Sequence, residues 1–299
     1  MRARNHARHL VCVGSLFVLG LSGWGASVVV AQQPDDEEQS RQVFAAEFLN
    51  ARPAPQTRRT SPTKSVKSSP NPASDLLGVT IWRLRPAASS DDTQARLLDH
   101  EGDAETVLVA ERVASDTKFK EGQKVRLSIE SPRTGYLYVI DREQYADGTF
   151  SDPYLIFPTL KIRDGDNAVT AGRLIEIPDQ DDRPFYFKMK RNRPDQVGEV
   201  LTVLVTPKPI PSLQLGRKAL KLTNEQFAQW EKWKAPAKRV ELANHAGKTY
   251  TKAEMTAGAT NTNLLRRDDP PPQTIYRISG KPGDPLLITI SLQYESPPK

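Results

Sequence analysis

The side chains able to do chemistry in this chain are few and scattered. Past residue 31 there are two histidines, His100 and His245, both in polar, loop-like surroundings. Neither belongs to an H-x-x-x-H pair, which would set two imidazoles on one helix face for a metal. His245 could serve a serine nucleophile, because triads assemble in space, but the chain has no G-x-S-x-G elbow. Asp164-Gly-Asp-Asn167 resembles a fragment of a calcium loop. It lacks ligands at the required spacing and a closing glutamate, so it reads as a β-turn. Asp179-Gln-Asp-Asp182 gathers negative charge beside Pro178 and reads as a solvated turn, with adventitious calcium binding as the alternative. No glycine loop cradles a phosphate and no dinucleotide fingerprint is present. A catalytic carboxylate pair would need two acids brought together by the fold, and no pair stands out. The expectation is a protein that is not an enzyme and uses no metal and no cofactor.

Aromatic residues offer a second kind of chemistry, recognition. Gly135-Tyr-Leu-Tyr-Val-Ile-Asp141 and Tyr154-Leu-Ile-Phe-Pro-Thr159 concentrate rings in an otherwise polar chain. In the first stretch Tyr136, Tyr138 and Ile140 share one face and Leu137 and Val139 the other, as in an interior strand covered on both sides. Pro158 ends the second, since it donates no ladder hydrogen bond. Tyr145, Phe150 and Tyr154 sit in or beside the long link between the two stretches, and these three are the candidate binding residues.

The elements that must position these groups follow from pattern. Residues 1–31 read as a secretory signal: Arg2, Arg4 and Arg8 without an acid, an apolar run from Leu10, and small residues Val29 and Ala31 before a cut after Ala31. The alternative is an uncleaved anchor, the one way this chain would meet a membrane. The single cysteine, Cys12, leaves with the signal, so no disulfide or thiolate site follows. The chain carries 42 basic and 36 acidic residues; losing three arginines leaves 39 against 36, interspersed, which argues against nucleic-acid binding.

Residues 32–74 are rich in Pro, Ser, Thr, Gln and charge and read as a disordered linker. Within it, Asp36 to Leu49 could form a short helix that frays alone or docks on a partner. Residues 75–254 read as a β-rich domain. Leu76–Leu84, Glu105–Val113, Lys124–Glu130, Gly135–Asp141, Phe185–Met189 and Glu199–Val205 are strand-like, with turn signals between them. In Lys124–Glu130, Val125, Leu127 and Ile129 alternate with Lys124, Arg126, Ser128 and Glu130, the signature of a sheet with one wet face. Thr223-Asn-Glu-Gln226 is a capping box ahead of Phe227, Trp230 and Trp233, which predicts a helix near 223–234 pinned to a sheet. Residues 255–272 read as a loose linker and 273–299 as C-terminal strands. The fold class is mainly β: a β-sandwich or Greek-key-like antiparallel arrangement with one short helix.

The segment from Phe119 to about Pro207 resembles a bacterial family of unknown function, the domain numbered 4384. The resemblance runs in order through Phe119–Leu127, Gly135–Ile140, Leu155–Pro158, Asp166-Asn167, Ala171-Gly172, Ile177-Pro178, Phe185–Phe187 and Glu199–Thr206, roughly a third of the chain past the signal. The link from Ile140 to Leu155 is longer than the short hairpin of that family. The resemblance implies a small β domain, often exported or appended to others, with no catalytic residues to carry over.

These readings lead to an exported, periplasmic or extracellular, non-catalytic module that binds a protein or an envelope component. Two alternatives accompany it. One is a structural subunit of an envelope assembly, packing through the Val43–Leu49 helix or the last strand. The other is a cell-wall hydrolase using two acids that face each other in a cleft with separated pKa values.

Overall fold

The structure, a computed structural model, describes residues 36–52, 75–101, 104–211, 213–242, 246–260 and 264–296. The signal with its Ala31 cut, linker residues 53–74 and His245 lie outside the described residues. The described part is mainly β, with two sheets packed face to face.

The first sheet is built on β1 (Asp75–Pro86) and β5 (Lys124–Glu130). One side of β1 pairs first with β14 (Thr274–Ile278), itself flanked by β13 (Ala237–Glu241), and then with β3 (Ala104–Arg112), flanked by β2 (Arg96–Glu101). The far side of β5 carries β9 (Leu174–Ile177) and β10 (Phe187–Lys188). The second sheet runs β12 (Leu220–Lys221), β7 (Tyr154–Phe157), β6 (Gly135–Tyr145), β11 (Gln196–Thr206), β15 (Leu286–Tyr294), β4 (Lys118–Phe119), with β8 (Ala168–Val169) also on β6. All pairs are antiparallel except β15 with β4. Ile81, Leu127 and Ile129 of the first sheet meet Leu137, Val203 and Ile288 of the second in one buried core. The last strand lies between β11 and β4, so residues 273–296 are part of the sandwich and not an appendage.

Among the described residues there are three α-helices; the sequence predicts the one near 223–234 and a possible one over Asp36–Leu49, and the third is additional. Helix α2 (Asn224–Glu231) has the predicted capping box: Thr223 Oγ1 accepts from Gln226 N at 3.1 Å, and Gln226 Oε1 accepts from Thr223 N at 3.0 Å. Phe227 and Trp230 pack on Tyr138, Ile140, Leu204 and Leu287, covering part of the outer face of the second sheet. Trp233 falls past the helix end and stays exposed. Helix α3 (Lys252–Thr260) and the residues after it replace the expected loose linker: Glu254, Ala257, Gly258, Leu265 and Gln273 are buried. Helix α1 (Asp36–Ala51) neither frays nor waits for a partner. Phe44 and Phe48 pack on Val240, Leu242 and Ile275, and each buried ring contributes roughly 1.5–3 kcal/mol. Gly78 makes this approach possible, since a Cβ there would lie 2.7 Å from the Phe48 ring.

The alternation in β5 placed its side chains on the right faces, but the polar face is dry. Arg126, Ser128 and Glu130 are all nearly inaccessible. Arg126 pairs with Glu176, and Trp82 Nε1 donates to Ser128 Oγ at 2.7 Å. Arg52, just past α1, forms a bidentate pair with Glu130 (2.9 and 2.8 Å) and also donates to the carbonyls of Asp269 and Pro270. Arg112 reaches Glu254 on α3 and the Pro271 carbonyl, and its guanidinium lies 4.9 Å from the Trp82 ring. Burial pushes the Glu130 carboxyl up even with Arg52 beside it, so desolvation outweighs the pairing.

Removing one partner of such a pair leaves the other charge buried and unmatched. Arg52→Ala should therefore cost about 3–5 kcal/mol in urea unfolding, and adding Glu130→Leu should restore more than half of the loss. Equal losses in the single and double variants would show that the pair does not hold α1.

Candidate binding face

Strands β6 and β11 are 11 residues each and stay in register from Gly198/Gln144 to Thr206/Tyr136, with a bulge at Val197 before Gln196 meets Tyr145 and with β15 following β11. Helix α2, with Ile210, Leu213 and Leu215, covers part of their outer face, Ile140 included. Register lines up three rows: Ile140–Thr202–Thr289, whose first two members are buried, Arg142–Val200–Ser291, and Gln144–Gly198–Gln293. The third row continues to Phe150, which bridges to Gln144 on one side, and to Lys118, opposite Gln293, on the other. With strands about 4.8 Å apart, that row is about 19 Å long. Thr289, Ser291 and Gln293 are exposed. Gly198, in its middle, has no room for a side chain, because a Cβ would sit 2.6 Å from the Leu292 carbonyl oxygen. At its middle the row therefore presents backbone and no side chain.

Arg142 fixes one end of this face. Its guanidinium carbon lies 4.9 Å from the Phe150 ring centroid and 5.2 Å from that of Phe227, and its Nε donates to the Ser151 carbonyl at 3.1 Å. One cation thus ties the β6–β7 hairpin to α2, with Phe150 left 40% exposed. No local pattern signals this clasp, since only the fold brings Phe150 and Phe227 to either side of Arg142.

The three predicted aromatics do not converge. β6 runs through Tyr145, which is therefore a strand residue and not part of a loop, and its ring turns to the inner side and is buried. Its hydroxyl donates to Glu143 Oε2 at 2.7 Å, and Arg193 lies 3.8 Å from its ring centroid. The expected exposed patch of Tyr145 with Phe150 is therefore absent, because neighbouring strand positions point to opposite faces. Tyr154 is exposed, but it registers with Asp141, on the side away from Phe150. A separate exposed apolar pair, Leu98 and Val107, faces itself across β2 and β3 at the edge of the first sheet.

On the inner side of the same strands, Asp141 and Glu199 form a carboxyl pair. Glu199 Oε1 accepts from Gln196 Nε2 (2.7 Å) and from the Tyr294 hydroxyl (3.1 Å). Asp141 Oδ1 and Glu199 Oε2 are buried with no hydrogen-bond partner among the described residues, and each acid acts on the other, the condition for two carboxyls to share one proton. Burial raises both carboxyls above the usual range; Glu143 nearby raises them further, and Tyr294 is lifted in turn. Both oxygens are buried, on residues that are themselves half-buried.

The acidic turns meet at a separate depression of about 520 Å³ lined by Arg163, Asp164, Asp179 and Asp182. The Asp179 and Asp182 carboxylates are occupied: Asp182 accepts from the backbone N–H of Arg163 and of Asp179 (2.8 and 2.6 Å), and Arg163 donates to Asp179 at 3.0 Å. Among the described residues no three acids, histidines or cysteines gather as metal ligands. His100 is exposed on β2, opposite Glu105. A smaller cleft of about 290 Å³ lies between Leu49, Arg112, Lys248 and Pro271. Comparison with protein-family models, with curated proteins and with solved structures finds no match to this chain.

The carboxyl pair sets a pH dependence. With both pKa values raised, the folded chain holds more protons than the unfolded one above about pH 4, so this contribution to stability is full at low pH and fades as pH rises through neutrality. Glu199→Gln should stabilise the protein by on the order of 1–3 kcal/mol at about pH 8 and flatten the decline from about pH 5. An unchanged slope in thermal unfolding would exclude the shared proton.

Proposed function

We propose that this chain is an exported, non-catalytic β-rich module that binds a protein or an envelope component through the open face of its second sheet. The observation that carries this reading is Phe150, a large ring held by Arg142 yet 40% exposed, at the end of the Gln144–Gly198–Gln293 row. Exposed apolar surface with a fixed orientation is what a recognition site offers. The outer face of the first sheet is occupied, by contrast, with α1, α3 and residues 264–273 lying over its charged pairs. The N-terminal arginines and apolar run support export, and the resemblance of residues 119–207 to the bacterial domain family supports a module. Among the described residues, no helix is long and apolar enough to cross a membrane.

The reading as a structural subunit relied on α1 and the last strand: Phe44 and Phe48 pack on their own domain while Val43 stays exposed, and β4 pairs with the last strand only at Gln293 and Tyr294. The reading as a hydrolase relied on two acids facing each other in a cleft; Asp141 and Glu199 are the raised pair here, and their unpartnered oxygens are buried.

The test is capture from envelope extract by the protein from Gln32 onward. Truncation at Leu76 is a poor control, because it deletes α1 and strips Glu130 of Arg52. Phe150→Ala should lower capture about tenfold, while Leu98→Ser with Val107→Ser leaves it unchanged. The reverse pattern would move the binding site to the edge of the first sheet, and indifference to both would remove the module reading.

A further inference from the structure

We propose that the ligand of this open face is an uncharged glycan, a short run of sugar rings laid along the row from Phe150 to Gln293. This rests on the reading that the face is a binding site. Charge is the first argument. Along these rows the polar groups offered are the exposed amide of Gln293, the half-buried amide of Gln144 and the exposed hydroxyls of Ser291 and Thr289, beside half-buried Val200. Each polar group can donate and accept at once, which matches sugar hydroxyls, themselves donor and acceptor together. Within these rows no acid is present, and the cations are Arg142, clasped between two rings, and Lys118 at the far rim. A nucleic acid or a charged peptide would find little to pair with.

Shape is the second argument. β6 and β11 are paired on both sides, so an extended peptide finds no free edge on them to extend the sheet. A protein partner of ordinary size would want several apolar anchors at the centre of the patch, whereas here one ring stands at the end of rows of amides and hydroxyls. A row with bare backbone at Gly198, flanked by Gln144 and Gln293, suits a flat, polar-edged ligand. Phe150 supplies the remaining element. An aromatic face, negative at its centre, packs against the C–H face of a pyranose, and Arg142 behind it keeps the ring in place.

The experiment uses the whole protein from Gln32 with three probes: linear tetrasaccharides of N-acetylglucosamine and of glucose, followed by calorimetry, and envelope polysaccharide stripped of protein, followed by co-sedimentation. At least one should bind, and Phe150→Ala and Gln144→Ala/Gln293→Ala should each weaken it at least tenfold, while Tyr154→Ala leaves it unchanged. Far-UV circular dichroism checks that these surface variants remain folded. A tetrasaccharide result names a defined sugar as ligand, and binding confined to the stripped polysaccharide names the longer polymer. Failure of all three probes, or binding indifferent to Phe150 and the glutamines, overturns the glycan assignment. If extract capture still depends on Phe150 in that case, the module reading survives without it; if capture is also indifferent, both fall.

Discussion

The fold depends on charge hidden from water. Arg52–Glu130, Arg112–Glu254 and Arg126–Glu176 lie on the outer face of the first sheet, where an ordinary sandwich would meet solvent. Each of these ions would be costly to bury alone, and each becomes tolerable only when its partner arrives from elsewhere in the chain. That requirement assembles the cover. Arg52 brings the end of α1 and the 269–270 backbone onto β5, Glu254 brings α3 onto β3, and Gln180 links Glu176 to the Met255 carbonyl. The pairs add little net stability compared with an apolar surface of the same shape. What they add is selectivity, because a cover shifted along the sheet would leave a buried ion unmatched.

With the first sheet closed this way, exposure is left to the second. There the same two strands carry opposite chemistries on their two faces. Inward, Asp141, Glu143 and Glu199 end the apolar core in a knot of acids, held by Gln196, Tyr294 and Tyr145. Outward, Arg142 alternates with Asp141 and Glu143 and reaches the rings of Phe150 and Phe227. The hairpin, α2 and the acid pair are therefore mechanically adjacent through β6. A single strand positions the exposed ring and the acid pair on either side of itself.

Much of this was legible locally. Alternation sorted the faces of β5 and β6 correctly, the capping box located α2, and Pro158 marked the end of β7. What local pattern could not supply was the partner. Arg52 and Glu130 are 78 residues apart and Arg112 and Glu254 are 142 apart, so a polar face bound for burial reads the same as one bound for water. For the same reason α1 was read as a fraying helix and α3 as a loose linker: their stability lies in surfaces that no window contains. The site was only partly visible. Phe150 stood out by type, but Tyr145 differs from Phe150 in face, which needs the strand to be known as far as Tyr145. Gln144, Gly198 and Gln293 come from three separate strands and become a row only through register.

The extent of the open face follows from lengths. Helix α2 has eight residues, about 12 Å along its axis, while the 11-residue strands beneath span about 36 Å. Ile210, Leu213 and Leu215 cover more of that face beside Tyr138, so what stays open is its β15 side. There Thr289, Ser291 and Gln293 meet water, while Gln144 is half-buried. Phe150 stands exposed at the opposite end of the row from Gln293. Its contact with Arg142 orients the ring without burying it, and the clasp on Phe227 alone would already dock Arg142 on α2. Packing thus accounts for the orientation of Phe150 but not for its exposure, and a ligand resting on the ring accounts for both.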